Sequence, residues 1–356
     1  EEQHAQAVET MLQSDEIDIL IIVHVSVRAK DNDAVAAGIL RGVRTARQTH
    51  TNRKPVYLCW MAEGDLDRAF TVDEEIIPTY RFPEVPARVI SHAVNYGVWR
   101  RQPNGEAPHY SDIDLSIVKS IYRKALSERG AGWLTTEETH AILGAMNLPL
   151  VQGAVATSAE EAVKLAQKIG YPVAVKLASH QIVHKTEMGG VHLNLADNQA
   201  VRSAFELIRG NLAQAHKLSA MAGVLVQPML TGGVEVMAGM TRDPLFGPLL
   251  AFGLGGIHVE ILGDVQFRVT PLTVCDTSEM VRKIKGFRLL QGYRGHPAAD
   301  VEAIEEVLLR LSRLVEEVPE ISELDLNPIF ALPPGQGCRI VDARILVVSR
   351  APQLTD

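Results

Sequence analysis

The sequence predicts an α/β protein, with a small parallel unit at the N-terminal end and a larger mixed region after it. Two observations carry this. Between residues 17 and 101, apolar runs of strand length alternate with segments of helical spacing, the order of a parallel sheet with right-handed crossovers. Beyond residue 220 several strand-like runs follow one another with few helices between them. A length of 356 residues gives room for two or three domains, and 46% hydrophobic with 22% charged residues is ordinary globular composition.

The elements follow in order. The opening EEQHAQAVETMLQ reads as a helix already under way, as in the interior of a longer protein. IDILIIVHVS (17–26) is a continuous apolar strand, 33–48 carries helical spacing, PVYLCWM (55–61) is a second strand, and a helix runs from near Pro86 to about Arg100. Two strands and their helices are too few for a complete doubly wound domain and look like its second half. QPNGEAPHYSD (102–112) is linker-like. A helix spans about Asp112 to Arg129, and Thr135 with Glu138 is spaced as a capping box for a helix ending before Pro149. Ser158 and Glu161 repeat the device for a helix ending at Gly170. The C-terminal half adds a helix near 197–217, then strands GVLVQPML, EVMAGMTRD, LLAFGLGGI and about 264–269. Helices near 277–291 and 300–318 follow, and DLNPIFAL and CRIVDARILV close the chain as two strands. There is no internal repeat.

A net charge of −8 supplies no basic field for a nucleic-acid backbone. Cys59, Cys275 and Cys338 have neither metal spacing nor a disulfide framework, which points to a reducing cytoplasm. No run of 18 apolar residues predicts a membrane span.

The chemistry concentrates in YPVAVKLASHQIVHKTEMGGVHLNL (171–195). An apolar strand ends in Lys176, and a loop carrying His180, His184, Lys185 and the pair Gly189-Gly190 leads to the next strand. Glycine backbones approach phosphate closely and offer N–H groups, and a lysine adds a point charge. The loop is neither a P-loop nor a dinucleotide fingerprint. Taken singly, Lys176 is a solvated strand-end lysine, His184 a surface histidine and the glycines a turn; the combination reads as a polyphosphate site. Downstream, Gln227, Pro228 and Met229 end a strand, and Glu235 stands eight residues after Gln227. That suits a hinge whose carbonyl and N–H groups read a base edge and whose carboxylate accepts from ribose. Asp325 and Asn327 share one strand face, and Asp342 lies on the next strand. These hard oxygen donors suit Mg²⁺ beside phosphate, although Asn-Pro also starts ordinary turns.

Five motifs in this order resemble the ATP-grasp part of the NDP-forming acyl-CoA synthetases, the ADP-forming acetate–CoA ligases related to succinyl-CoA synthetase. They are VAVKLASHQIVHKTEMGGVHLNL, LVQPML with GVEVMAGMTRDPLFGP, FGLGGIHVE, ELDLNPI and VDARI. The resemblance covers about 134–347, and residues 1–101 resemble the later part of the flavodoxin-like ligase domain that precedes it in fused members. It implies a partial flavodoxin-like unit (1–101), a linker and helix (102–133) and an ATP-grasp domain of two α+β subdomains (134–350). It also implies an acid–thiol ligase reaction, acyl-CoA + ADP + phosphate ⇌ acid + CoA + ATP, run through a phosphohistidine relay. His184, in HK[ST][DE]xGG, would be the phosphoryl carrier, with Asp325 orienting or stabilising it. Lys176 and Lys185 would hold phosphates, Gly189 and Gly190 would let the loop fold over them, and Gln227 to Met229 would form the adenine hinge. Glu235 would hold ribose, and Asn327 and Asp342 would ligate Mg²⁺. ATP or ADP and Mg²⁺ are the implied cofactors. CoA would be bound mainly by domains outside this chain, upstream or on a partner subunit, which would also bring the second phosphohistidine, in an oligomer. His180 replaces a common Pro and has no role in the motif.

Two other readings are open at this stage. One is a regulatory pseudo-synthetase platform of a protein acetyltransferase, binding nucleotide or acyl-CoA without turnover. The other is an ATP-grasp ligase acting on an amine, against which His184 argues.

Overall fold

A computed structural model describes residues 1–49, 53–62, 70–101, 105–182, 184–255, 263–295 and 297–349. The chain divides into two compact units, Glu1–Pro103 and Asn104–Asp356.

In the first unit, β1 (Leu20–Val25), β2 (Val56–Met61) and β5 (Thr79–Tyr80) form a parallel sheet in the order β1-β2-β5. β3 (Thr71–Val72) and β4 (Glu75–Ile76) make a separate hairpin. The helices are α1 (Glu2–Gln13), α2 (Asn32–Thr49) and α3 (Glu84–Arg101). The core joins Val8 and Leu12 of α1, Ile39 and Val43 of α2, and Leu58 of β2. The uninterrupted apolar run of β1 predicts burial on both faces, yet Ile21, Val23 and Val25 are exposed while Leu20 is buried. This unit covers one face of that strand.

Helices α1 and α2 touch at glycines. A Cβ on Gly42 would stand 2.5 Å from the Ala5 carbonyl oxygen. Gly42→Val is therefore expected to push the helices apart and cost about 1–3 kcal/mol, as overpacking does. A lower urea midpoint for this unit, followed through Trp60 fluorescence, is the check.

The second unit holds two sheets, each with its own core. The smaller is antiparallel, in the order β7 (Ala154–Ala156), β10 (Gly223–Pro228), β8 (Val173–Ala178), β9 (Val191–Leu195). Its apolar face packs on α6 (Ala159–Ile169) and α7 (Asn198–Gln214) through residues such as Ala162, Val175, Phe205 and Val226. Ser158 and Asp197 cap these helices by accepting from Glu161 N and Ala200 N.

The larger sheet runs β13 (Val265–Val269), β12 (Gly247–Leu254), β11 (Val234–Asp243), β14 (Ile321–Ala331), β16 (Ala343–Val347), β6 (Gly132–Trp133), with β15 (Cys338–Ile340) also on β14. It packs on α4 (Leu115–Arg129), α5 (Thr136–Ala145), α8 (Val274–Arg282), the short α9 (Phe287–Leu290) and α10 (Val301–Glu317) around Phe252, Leu250, Leu311 and Leu324. The Thr135–Glu138 capping box forms as its spacing predicts. Two antiparallel sheets with helices on them are the two α+β subdomains expected, and the whole is an α/β protein.

Three elements differ from their sequence reading. CRIVDARILV is two strands, interrupted at Val341 and Asp342, because Val341 N donates to Pro328 O (3.0 Å) and Asn327 N to Asp342 O (3.1 Å) instead of continuing one ladder. The single helix expected over 277–291 is broken before Gly286, where Asp264 accepts from Lys285 N and Gly286 N at 2.7 Å each. The linker-like 102–112 is docked at its far end. Arg310 reaches Asp112 at 2.8 Å and Met146 O at 3.0 Å, and its guanidinium lies over the Tyr110 ring. No helix among the described residues is long and apolar enough to cross a membrane.

Candidate functional site

The two sheets of the second unit face each other across a cavity of about 290 Å³, near the lower end of ligand pockets at about 300 Å³. One wall comes from the smaller sheet. On β8, Val173 and Val175 point into its core, so the alternation turns Ala174 and Lys176 to the cavity. Cross-strand pairing sets Gln227 of β10 opposite Ala174, on the same face. The other wall is Glu235 at the start of β11, Asn327 and Phe330 on β14, and Asp342 in the break between β15 and β16. Val191, Leu193, Met229 and Phe330 give this cleft an apolar lining suited to a flat ring.

Lys176 is only 5% exposed, and its Nζ donates to Val341 O at 3.1 Å, across the cavity. Burial pulls its pKa below the usual lysine range, with Asp342 opposing and Lys185 adding to the fall. For Asp342, burial works to raise the carboxyl, but Lys185 and Lys176 outweigh it and hold the group below the ordinary carboxylate range. Asn327 and Asp342 present one amide and one carboxylate, and among the described residues no group of three His, Cys, Asp or Glu could hold a metal alone. That donor set fits Mg²⁺ arriving with phosphate oxygens and water. The Asp342 carboxylate already receives a cation, the Lys185 ammonium, at 3.2 and 3.4 Å.

The structure gathers Lys176, Gln227, Pro228, Met229, Glu235, Asn327 and Asp342 on the cavity and ties Lys185 to its rim. It leaves other expected residues outside. Asp325 binds Arg344 at 2.6 Å, and the His184 side chain is 74% exposed, its Nδ1 3.5 Å from Glu187. Gly189 (φ +61°) and Gly190 sit at the foot of the loop, where a Cβ would meet Asn211 Nδ2 at 2.5 Å and Lys185 O at 2.9 Å respectively. Here the glycines serve close packing of the turn. The hinge also differs from its reading. Pro228 has no N–H and Met229 N donates to Pro172 O at 3.0 Å, so these two residues offer a base carbonyls, not N–H groups. The Gln227 side chain, 1% exposed, donates to Val151 O at 3.2 Å. Of FGLGGIHVE, residues 256–260 lie outside the described residues.

Sequence reasoning missed Thr186, Phe330 and the Val341 carbonyl at the cavity. It also missed His140 on α5. Burial lowers its pKa, with Asp342 and Glu137 opposing and Lys185 and Lys176 reinforcing. The capping box that fixes the start of α5 was the available signal for its placement.

Residues 124–347, which contain both walls, match the family described as ATP-grasp domain. The chain belongs to the ATP-grasp family. Among relatives of this ATP-grasp chain is the 4-hydroxybutyrate–CoA ligase [ADP-forming] of Nitrosopumilus maritimus, 37% identical over 288 residues, which are 81% of this chain and 41% of that protein. Another is the acetate–CoA ligase [ADP-forming] I subunit beta of Pyrococcus furiosus, 42% identical over 233 residues, 65% of this chain and 99% of the subunit. Structures of acetyl-coenzyme A synthetase 1 from Ca. Korarchaeum cryptofilum share the fold. One, with coenzyme A, Ca-AMPCP and HgCl+, has a TM-score of 0.61 at 40% identity over 64% of this chain and 98% of that one. Another, with coenzyme A and Mg-AMPPCP, has a TM-score of 0.56 at 38% identity over 65% and 99%. The ATP-grasp chain thus spans less than half the length of the longer ligase, and nothing supports the acetyltransferase-platform alternative.

Proposed function

We propose that this chain is the nucleotide-binding, phosphoryl-transferring part of an ADP-forming acyl-CoA synthetase, acting in acyl-CoA + ADP + phosphate ⇌ acid + CoA + ATP. The convergence of Lys176, Glu235, Asn327 and Asp342 on one cavity, with Lys185 and His184 on the loop at its rim, carries the reading. The adenine would lie between the apolar side chains and the carbonyls of 227–229, with Glu235 on the ribose. Lys176 and Lys185 would take phosphate oxygens. A Mg²⁺ held by Asn327 and Asp342 would neutralise the charge that develops during transfer. His184 would carry the phosphoryl group between this cavity and a CoA-binding, phosphohistidine-bearing part of the enzyme, upstream in a longer chain or on a partner subunit. Asp325 would orient the phosphorylated ring. In domain terms, 1–101 would be a flavodoxin-like ligase part, 102–133 a connection and 134–350 the nucleotide-binding domain. The similarity to a relative named as a beta subunit, matched over 99% of its length, supports a division of labour between parts.

Incubation with γ-labelled ATP and Mg²⁺ tests this. An acid-labile, base-stable label mapping to His184 is expected. Binding of ATP with no label on His184, in this chain and also in the enzyme that contains its partner parts, would remove the relay.

A further inference from the structure

The ion pair between Lys185 and Asp342 joins two things that the reaction uses at different moments: the loop that carries His184 and a ligand of the metal. Nζ contacts both carboxylate oxygens, at 3.2 and 3.4 Å, and the lysine side chain is one-tenth exposed. These distances are longer than the roughly 2.7–2.9 Å of a tight charge-assisted bond, so the ammonium sits astride the carboxylate as a loosely held point charge. A Mg²⁺ held by Asp342 would use the same carboxylate, at the shorter distance of about 2.0–2.1 Å usual for that ion. Two cations so close on one carboxylate repel each other, which favours departure of the more loosely held one.

Lys176 is not the one that leaves. It is fixed within β8 and bonded to Val341 O. Lys185 sits on a loop whose turn closes on itself, with Gly190 N donating to Lys185 O at 2.8 Å and Gly189 N to Thr186 O at 3.0 Å. Withdrawal of the Lys185 ammonium therefore removes a tie between this compact turn and Asp342, and His184 is its direct neighbour. We infer that Lys185 stands in for the divalent cation on Asp342 and so pins the His184 segment to the larger sheet until a metal-bearing nucleotide displaces it. Nζ then passes from carboxylate to phosphate, and the carrier histidine is released only once a phosphoryl donor or acceptor is in place. Lys185 is in this sense a positioning residue for His184. The inference rests on the metal assignment made above.

A lysine that merely binds phosphate predicts something different, namely that its removal leaves metal affinity unchanged or weakens it. The test is Mn²⁺ binding without nucleotide, read from the free-ion electron paramagnetic resonance signal. It compares the unaltered protein with Lys185→Met, Lys185→Gln and Asp342→Asn. Loss of the competing ammonium should tighten Mn²⁺ binding by about fivefold or more, the low end of coupling between two ligands. In the unaltered protein, Mn²⁺ should also speed amide hydrogen exchange across residues 184–190, and in Lys185→Met that segment should exchange fast with or without metal. Equal or weaker Mn²⁺ binding by both Lys185 variants, or loop exchange indifferent to Mn²⁺ in the unaltered protein, overturns the inference. If Asp342→Asn abolishes binding in that case, the metal assignment survives alone. If Asp342→Asn binds Mn²⁺ as well as the unaltered protein, the metal assignment falls and the inference falls with it.

Discussion

His184→Ala will lose the phosphoryl label from γ-labelled ATP while still binding the nucleotide. The two effects separate because of where the side chain lies. It is outside the cavity and largely exposed, so its removal takes nothing from the binding walls. Stability should change by less than about 0.5 kcal/mol, as at other surface positions. The chemistry has no substitute. In the proposed transfer the imidazole lone pair would form an N–P bond as the P–O bond to ADP breaks, a step open to neither nitrogen once the ring is gone. Removing a covalent nucleophile costs on the order of 10³-fold or more. Quantifying the label beside a nucleotide titration checks both halves. Retained label in the variant would move the carrier elsewhere, and lost nucleotide affinity would place His184 in the binding site.

The second large effect concerns Lys176→Met, which keeps the apolar stem and removes the charge. In the unaltered protein that charge is buried against Asp342 and a backbone carbonyl, partners that only partly offset its desolvation. In the proposed site a polyphosphate would complete the set. A hydrogen bond to a charged group contributes about 1.5–3 kcal/mol, so Mg-ADP affinity should fall roughly 10- to 150-fold. The melting temperature without nucleotide should fall, since the change leaves the Val341 carbonyl without its donor and removes one of the two ammonium groups that hold the Asp342 carboxylate. Calorimetric titration and a thermal melt together decide it. Unchanged affinity would mean that the lysine only braces Val341 O.

How far the sequence reached can be seen in these two residues. Lys176 was legible because a lysine inside an apolar run contradicts the strand's own pattern. His184 was singled out through the spacing of its motif with the glycine pair, and the structure places it outside the cavity. Asn327 and Asp342 showed as polar breaks in strand patterns, and helix starts at Thr135 and Ser158 followed from local capping chemistry. The rest depends on partners far away in the chain. That CRIVDARILV breaks at Val341 depends on Pro328 O, and that Asp325 faces Arg344 depends on the register of β14 against β16. Likewise, Met229 spends its N–H on Pro172 O, across the smaller sheet. No local pattern encodes such choices, because several registers satisfy the same alternation of apolar and polar residues.

The two sheets of the second unit have separate apolar cores and meet through a few polar side chains, among them Lys176 on Val341 O and Gln227 on Val151 O. Separate cores allow each sheet to open on its own, and a ligand spanning both walls would be lost when either one opens. A nucleotide at a hundredfold its dissociation constant adds about 2.7 kcal/mol to whatever it binds, and here that increment is shared by both sheets. Raising the nucleotide concentration is therefore expected to merge any separate openings of the two sheets into a single transition.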